Sequence, residues 1–295
     1  MKPLALQDKK LFDSFLTAQH HQLSYFSFAS IFIWKDSFII SWELIDEHLC
    51  IFARDGLGCF MLLPPVGPQV TDTILNACFG IMAEHSSNGS IARIENIESD
   101  EIDLYTALGL SCVPKDPEYI YRSQDLVQLK GNDYKKKRSA YNYCIKHYKC
   151  SMEEFSDQHR DDCFALHECW VAQRKAACSD TIAQAMLEDS VGTTQVALRW
   201  HRELDLEGRV VMVHNEVKGY SFGFPLNRDT FCILFEVADH AIKGLAQYLF
   251  REFSREKQTF RYINAMDDSQ IAGLKNVKES YRPHRLESAY IATRK

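Results

Sequence analysis

From residue 38 onward the chain alternates apolar runs of strand length with stretches whose apolar residues recur at helical spacing. This alternation confines it to the α/β class, because each sheet must be covered by helices that carry one apolar face. Phe38–Trp42 and His48–Ala53 read as strands flanking a turn at Asp46-Glu47. Cys59–Leu63 reads as a third strand, stopped by Pro64-Pro65 and Gly67-Pro68. The stretch Asp72–His85 then places Ile74, Leu75, Cys78, Phe79 and Met82 on one face of a helix. Ile91–Ile94 reads as a strand, Asp100–Leu108 as a helix closed by Gly109, and Glu118–Tyr121 as a further strand. Upstream, Asp8–His20 has amphipathic helical spacing, whereas Tyr25–Trp34 is aromatic and apolar with no decisive period.

The second half repeats the style. Helices are expected at Arg160–Lys175 and Thr181–Gly192, with a further turn or helix at Gln195–Leu204. Strands are expected at Arg209–His214, Lys218–Pro225 and Thr230–Glu236, followed by a clear amphipathic helix at Gly244–Lys257. Tyr262–Ala265 reads as a strand, Gln270–Tyr281 as a helix and Leu286–Thr293 as the closing strand. Between the halves lies Lys130–Cys150, the most basic stretch, with a helix expected from Asp133 into His147 because it lacks Gly and Pro. The length of 295 residues fits two domains. They are placed at residues 1–128 and 151–295, joined by the basic helix at 129–150. The two halves share no sequence repeat, so any duplication is one of topology.

Composition narrows the function classes. With 46% hydrophobic and 25% charged residues the chain is globular. A net charge of −6 excludes a protein that coats nucleic acid with its whole surface, though it leaves room for a local basic patch. The N-terminal residues lack the apolar core of a secretion signal, and runs such as Phe26–Trp34 are too short to span a bilayer. The ten cysteines include no C-x-x-C pair, so they read as reduced and mostly buried, and a cytoplasmic location with no transmembrane segment is expected. No metal site is expected: His167-Glu168 lacks the second His of a metalloprotease helix, and His20-His21 lacks ligand spacing. There is no G-x-S-x-G elbow and no Walker-type loop. Nothing in the sequence speaks to oligomeric state.

Three stretches carry a resemblance: Pro114–Tyr121, Leu126–Arg138, and Asn264–Tyr281 with Pro283. Their order and spacing resemble soluble stand-alone relatives of the C-terminal domain of phosphatidylglycerol lysyltransferase. In the basic helix Gly131, Tyr134, Lys137 and Arg138 agree with the family's run, while Asp133 and Ser139 depart from it. In the last motif Asn264, Asp268, Gly273, Leu274, Lys278, Ser280, Tyr281 and Pro283 agree, and Gln270 and Lys275 replace a glycine and an arginine. The resemblance implies an α/β fold with mixed α+β sheets, built as two tandem GNAT-like acyltransferase domains akin to the Fem-type peptidyltransferases. It also implies aminoacyl transfer from the acceptor end of an aminoacyl-tRNA to a lipid or small-molecule acceptor, with no cofactor required.

The candidate residues follow from chemistry and from that motif. Glu236, at the end of a core strand, is the candidate general base or amine anchor. Asn264, Asp267 and Asp268 follow a strand and precede a helix, where open α/β sheets bind ligands. Asp268 is a candidate catalytic residue and either Asp could hold an amine, or simply cap the helix. Lys275, Lys278, Tyr281 and Arg282 form a candidate substrate clamp, or a solvated helix end. Lys137 and Arg138 could contact a phosphate backbone, with Tyr134, Tyr141 and Tyr143 stacking on bases, or form a charged solvent face. Gly244 and Ala246 fit an acyl-coenzyme A loop of the form Q/R-x-x-G-x-G/A, but Ala241 stands where Gln or Arg belongs. Coenzyme A is therefore kept as the alternative donor, and a non-catalytic ligand- or RNA-binding module as the alternative outside enzymes.

Overall fold

The apolar stripes read from the sequence become the buried faces of the helices. The computed structural model describes residues 1–86, 91–176, 180–269 and 271–294. Among these, the helix Asp72–Glu84 buries Ile74, Leu75, Cys78, Phe79 and Met82, the expected face, and Thr71 caps it by accepting the Ile74 N–H. The strands are β1 (Lys2–Pro3), β2 (Ile39–Ile45), β3 (His48–Arg54), β4 (Cys59–Met61), β5 (Ile94–Glu98), β6 (Leu110–Pro114) and β7 (Glu118–Arg122) in the first part of the chain. They continue with β8 (Cys150–Glu154), β9 (Glu207–Val213), β10 (Glu216–Pro225), β11 (Thr230–Ala238), β12 (Tyr262–Asn264), β13 (Arg285–Glu287) and β14 (Ala289–Arg294). The helices are α1 (Lys9–Leu16), α2 (Phe28–Phe32), α3 (Asp72–Glu84), α4 (Ile102–Ala107) and α5 (Ser123–Gln128). After these come α6 (Lys135–His147), α7 (Arg160–Ala176), α8 (Thr181–Trp200), α9 (Leu245–Glu256) and α10 (Ala272–Glu279).

Two mixed sheets result, and they share one plan. The first has the order β1-β2-β3-β4-β5-β14-β6 and the second β8-β9-β10-β11-β12-β7-β13. In each, four antiparallel strands in chain order meet a fifth through a parallel pairing, β4 with β5 and β11 with β12. The crossover between the parallel strands contains a helix, α3 in the first sheet and α9 in the second. The sixth strand comes from the other half of the sequence. The last strand, β14, lies between β5 and β6 with Tyr290 opposite Ile97 and Ile291 opposite Val113. Reciprocally, β7 joins the second sheet with Ile263 opposite Tyr121.

The units therefore divide as Met1–Glu118 with Glu287–Lys295, and Tyr119–Leu286. This differs from the division at residues 128 and 150 read from the sequence, because strand exchange is a long-range choice that local patterning does not encode. The basic helix α6 is also no linker. It packs within the second unit, where Tyr141 stacks on Tyr248 of α9 at 5.9 Å and donates to Glu252 at 2.6 Å. The core of the first unit gathers Phe52, Met61, Leu75, Met82, Ile94 and Ile97 around α3. In the second, Phe231, Ile233, Phe250, Phe253 and Ile263 form one cluster, and Val211, Val213, Ala238, Leu245 and Leu249 another.

Other differences have local causes. Thr181–Trp200 is one helix with no break at Gly192, whose single-residue cost of about 1 kcal/mol is too small to end it. Strand β5 starts at Ile94 and not at Ile91, and the segment Tyr25–Trp34 contains the short buried helix α2. Strand β8 went unread because it is a polar edge strand, paired only with β9. The N-terminal helix is shorter than expected, with α1 ending at Leu16.

Candidate active site

The site begins where β11 parts from β12. Their parallel pairing covers Thr230 with Tyr262, Phe231 with Ile263 and Cys232 with Asn264, after which β12 ends and β11 runs on to Ala238. Along that extension β11 carries an extra residue. Phe222 of β10 faces Phe235 and Gly223 faces Ile233, leaving Leu234 unmatched. A bulge of this kind shifts the two-residue alternation by one and re-aims the side chains beyond it. The packing records the shift: Phe231 and Ile233 sit with Phe250 and Phe253, whereas the even-numbered Ala238 sits with Leu245 and Leu249 of the same helix. Glu236, two residues before Ala238, is turned by the bulge to the face that α9 covers.

Glu236 is a carboxyl in an apolar place. Its Oε2 is buried and has no hydrogen-bond partner among the described residues. Burial drives its pKa up to about 8, opposed only in part by the Lys278 ammonium. Nearby, burial and then the Glu236 charge hold the Tyr281 phenol above its ordinary value. Tyr281 is itself a core residue, edge-on to Phe250 at 4.9 Å, and its carbonyl accepts the Tyr134 hydroxyl at 3.0 Å.

The loop after β12 supplies the other expected residues. Asn264 is fully buried, and its Oδ1 accepts the Met266 N–H at 2.7 Å. Asp268 is buried and accepts the Tyr119 hydroxyl at 2.5 Å, so β7 contributes to the site a residue that sequence reasoning did not single out. At the start of α10 the N-cap position is Ile271, which makes no side-chain cap bond, and its N–H donates to the Asp268 carbonyl at 2.9 Å. Asp267 serves the loop itself, accepting the N–H of Ser269 at 2.8 Å and its hydroxyl at 3.1 Å. Met266 and Ser269 are both left-handed, at φ +59° and +50°. Non-glycine residues persist there only when their surroundings hold them. Lys278 helps to do so. Its ammonium donates to the carbonyls of Ala265 (2.5 Å), Met266 (3.2 Å) and Asp267. Three donors on three carbonyls make Lys278 the fastener of this loop, not a solvated helix end.

The remaining candidates are dispersed. Lys275 is exposed on α10, and Arg282 is an exposed residue at φ +54° that meets Asp133 at 3.2 Å. Lys137 lies 4.0 Å from the Tyr281 ring centroid, and burial lowers its pKa to about 8. Arg138 turns to the carbonyls of Leu129 and Gly131 (2.7 Å for the latter), closing the end of α5. The expected base-stacking tyrosines do not all face outward. Tyr134 and Tyr141 are buried in protein packing, and only Tyr143 is partly open, with Lys243 above its ring. Lys135, Lys136, Lys146 and Lys149 are exposed.

The loop from β11 to α9 is closed on itself in part. Ala241 donates to the Asp239 carboxylate, Ile242 to the Asp239 carbonyl and Leu245 to the Ile242 carbonyl. Gly244 has φ +87°, and a Cβ there would lie 2.1 Å from the Ala140 carbonyl oxygen of α6. Its glycine is thus explained by close helix packing, with Ala246 half-buried beside it. Among the described residues no group of three His, Cys, Asp or Glu side chains is placed to hold a metal ion. No described helix is long and apolar enough to cross a membrane.

Comparison with known proteins places this geometry. Among curated proteins no sequence matches the chain. A conserved protein of unknown function from Bacteroides thetaiotaomicron VPI-5482 superposes with a TM-score of 0.88 at 22% identity, over 100% of this chain and 99% of that one. L-PGS from Bacillus licheniformis gives 0.69 at 16% identity, covering 99% and 93%. A tandem GNAT protein from the clavulanic acid biosynthesis pathway gives 0.54 at 11%, covering 98% and 97%. At these identities the likeness establishes the fold, two tandem GNAT-like domains of mixed α/β type. The sequence profile described as phosphatidylglycerol lysyltransferase, C-terminal, matches residues 17–293, and with nearly the whole chain covered the protein belongs to that family.

Proposed function

We propose that the second unit is an acyl-group transferase that moves an aminoacyl group from an aminoacyl-tRNA acceptor end, or a similarly activated ester, to a lipid or small-molecule acceptor. The observation that carries this reading is Glu236: a buried carboxyl with an unfilled oxygen, on the length of β11 that runs on past β12, beside Lys278 and Tyr281. A base with a pKa near 8 is matched to taking a proton from an amine or hydroxyl at physiological pH. The acceptor's lone pair attacks the ester carbonyl carbon while its proton passes to Glu236. The tetrahedral intermediate then expels the carrier's hydroxyl oxygen, which takes that proton back. The edge of β11 beyond Cys232, no longer paired with β12, is the part of the sheet from which N–H groups would meet the oxyanion. Asp268, held by Tyr119, and Asn264 shape the loop against which the aminoacyl group would lie.

Family membership supports aminoacyl transfer as the general class. The loop at Ala241–Leu245 supports a donor other than coenzyme A, since the N–H groups of Ala241, Ile242 and Leu245 already have acceptors within the loop. The deciding experiment incubates the protein with charged tRNAs across an amino-acid panel, together with a lipid extract and a small-molecule pool. Transfer of labelled amino acid is expected, and Glu236→Gln should slow it roughly a hundredfold or more. No transfer together with no protection of the tRNA acceptor end would refute the function, and full activity in Glu236→Gln would refute the role of Glu236. A thermal shift with millimolar acetyl-coenzyme A would instead favour the acyl-coenzyme A reading.

A further inference from the structure

The first sheet repeats the plan of the second, including the place where open α/β sheets receive ligands, outside the carboxyl ends of a parallel pair. That pair is β4 and β5, joined at Met61 and Ile94. The loop after β4 leads into α3 and the loop after β5 into α4, as the corresponding loops after β11 and β12 lead into α9 and α10. In the first unit this place is a cleft of about 290 Å³, at the lower end for small-ligand pockets. Its walls include Phe26, Val66, Val70 and Leu104, with the His21 ring stacked on Phe26 at 3.8 Å. Among the described residues no lysine or arginine lines it.

Two carboxylates at its rim differ in their commitments. Glu98 is spent on the protein, accepting from His21 Nδ1 at 2.8 Å and from the N–H groups of Gln22 (2.6 Å) and Leu23 (3.2 Å). Glu101 lines the cleft, and its carboxyl has a hydrogen bond with the Glu98 backbone but no ion pair or hydrogen bond with another described side chain. Burial, then the charges of Glu98 and Asp100, raise its pKa to about 7, with His21 opposing. A half-buried carboxyl among other acids, in a cleft whose lining mixes apolar side chains with Gln19, His21 and Gln69 and holds no lysine or arginine among the described residues, repels phosphates and carboxylates and attracts a cation.

We propose that this cleft is a second ligand site, taking a small organic cation, a primary amine with a compact apolar body, whose ammonium pairs with Glu101. The apolar body lies against Phe26, Val66, Val70 and Leu104. The site is independent of the acyl-transfer reading, because it involves none of the residues around Glu236 and its test needs no turnover.

The test uses the full-length protein with benzylamine, benzyl alcohol and benzoate as three probes of one shape and different charge. Benzylamine at millimolar concentration should raise the melting temperature, and the neutral and anionic probes should not. Amide chemical shifts of the deuterated wild-type protein should move on benzylamine addition in residues 64–70 and 98–104. Glu101→Gln should weaken binding about tenfold or more, the worth of one charge-assisted hydrogen bond. Equal binding of benzyl alcohol, unaltered binding by a folded Glu101→Gln, absence of binding, or shifts centred on Glu236 would each overturn the proposal. The shift map is made on the wild-type protein, so the outcome stands even where Glu101→Gln does not fold.

Discussion

Glu236 sets stability and activity against each other. Its folded pKa of about 8 lies above the ordinary 4.5, so between those values the native state holds a proton that the unfolded chain has released. The stability this contributes is complete below pH 4.5 and is lost as pH rises through about 8. The slope is on the order of 1.4 kcal/mol per pH unit. His167 works in the opposite sense at lower pH: burial depresses its pKa to about 4, so its contribution grows as pH rises from 4 to 6.5. Glu101, raised to about 7, adds to the fall until it has ionised, and Lys137, lowered to about 8, opposes it as the native state begins to release that proton. Between pH 7 and 8 Glu236 makes the largest contribution, and the difference between wild type and Glu236→Gln isolates it. Chemical denaturation of the wild type should show stability falling across that window, Glu236→Gln should be nearly flat there, and a slope shared by both proteins would assign it elsewhere. Acyl transfer should move the other way, rising to a plateau above about pH 8 as the base ionises. This residue was legible in the sequence because a glutamate in an apolar strand is anomalous. Tyr119 was not, because its role follows from where β7 pairs. The three-carbonyl cradle of Lys278 was not either, because a lysine near a helix end has the same local signature whether or not a loop folds back over it.

At the scale of elements, α6 and the β11–α9 loop are one packed assembly, and Gly244 is its contact point. The residue is both left-handed and in the path of the Ala140 carbonyl. Gly244→Ala should cost roughly 2–5 kcal/mol, combining the left-handed penalty with overpacking against backbone. Thermal unfolding checks this: the variant should lose stability and activity together. If activity fell while the melting temperature held, Gly244 would belong to a donor-binding loop after all. Amphipathic elements were legible wherever one face is buried, as in α3 and α9, whose apolar spacing alone locates them. The polar edge strand β8 was not, since one paired side and little burial leave it only the short alternation of Cys150 and Met152 to read. Basic α6 was visible as a helix but misread as a connector. Its burial of Tyr141 and Cys144 needed only two apolar positions, while its exposed lysines dominated the pattern.

Across the whole molecule, the reciprocal placement of β7 and β14 means that chain position and structural membership disagree at the C-terminus. Removal of residues 288–295 looks like a trim of the second half, yet it takes out β14, which lies between β5 and β6 in the first sheet. Ala292 of that strand is fully buried in the first unit's core, alongside Ile94 and Ile97. Without it β5 and β6 lose their shared partner, and the sheet breaks next to its parallel pair. Domain stabilities are only about 5–15 kcal/mol, less than a central strand with its ladder and core contacts provides, so the first unit should open. Hydrogen exchange of the truncated and full chains should show protection lost at Ile94–Glu98 and Leu110–Pro114. In the truncated protein β9, β10 and β11 should retain theirs, because among the described residues 288–294 contribute no strand to that sheet. Loss of protection in β9–β11 with β5 and β6 intact would contradict the strand exchange. Benzylamine binding should disappear with the first unit while Glu236 keeps its perturbed titration, which would separate the two sites physically within one chain.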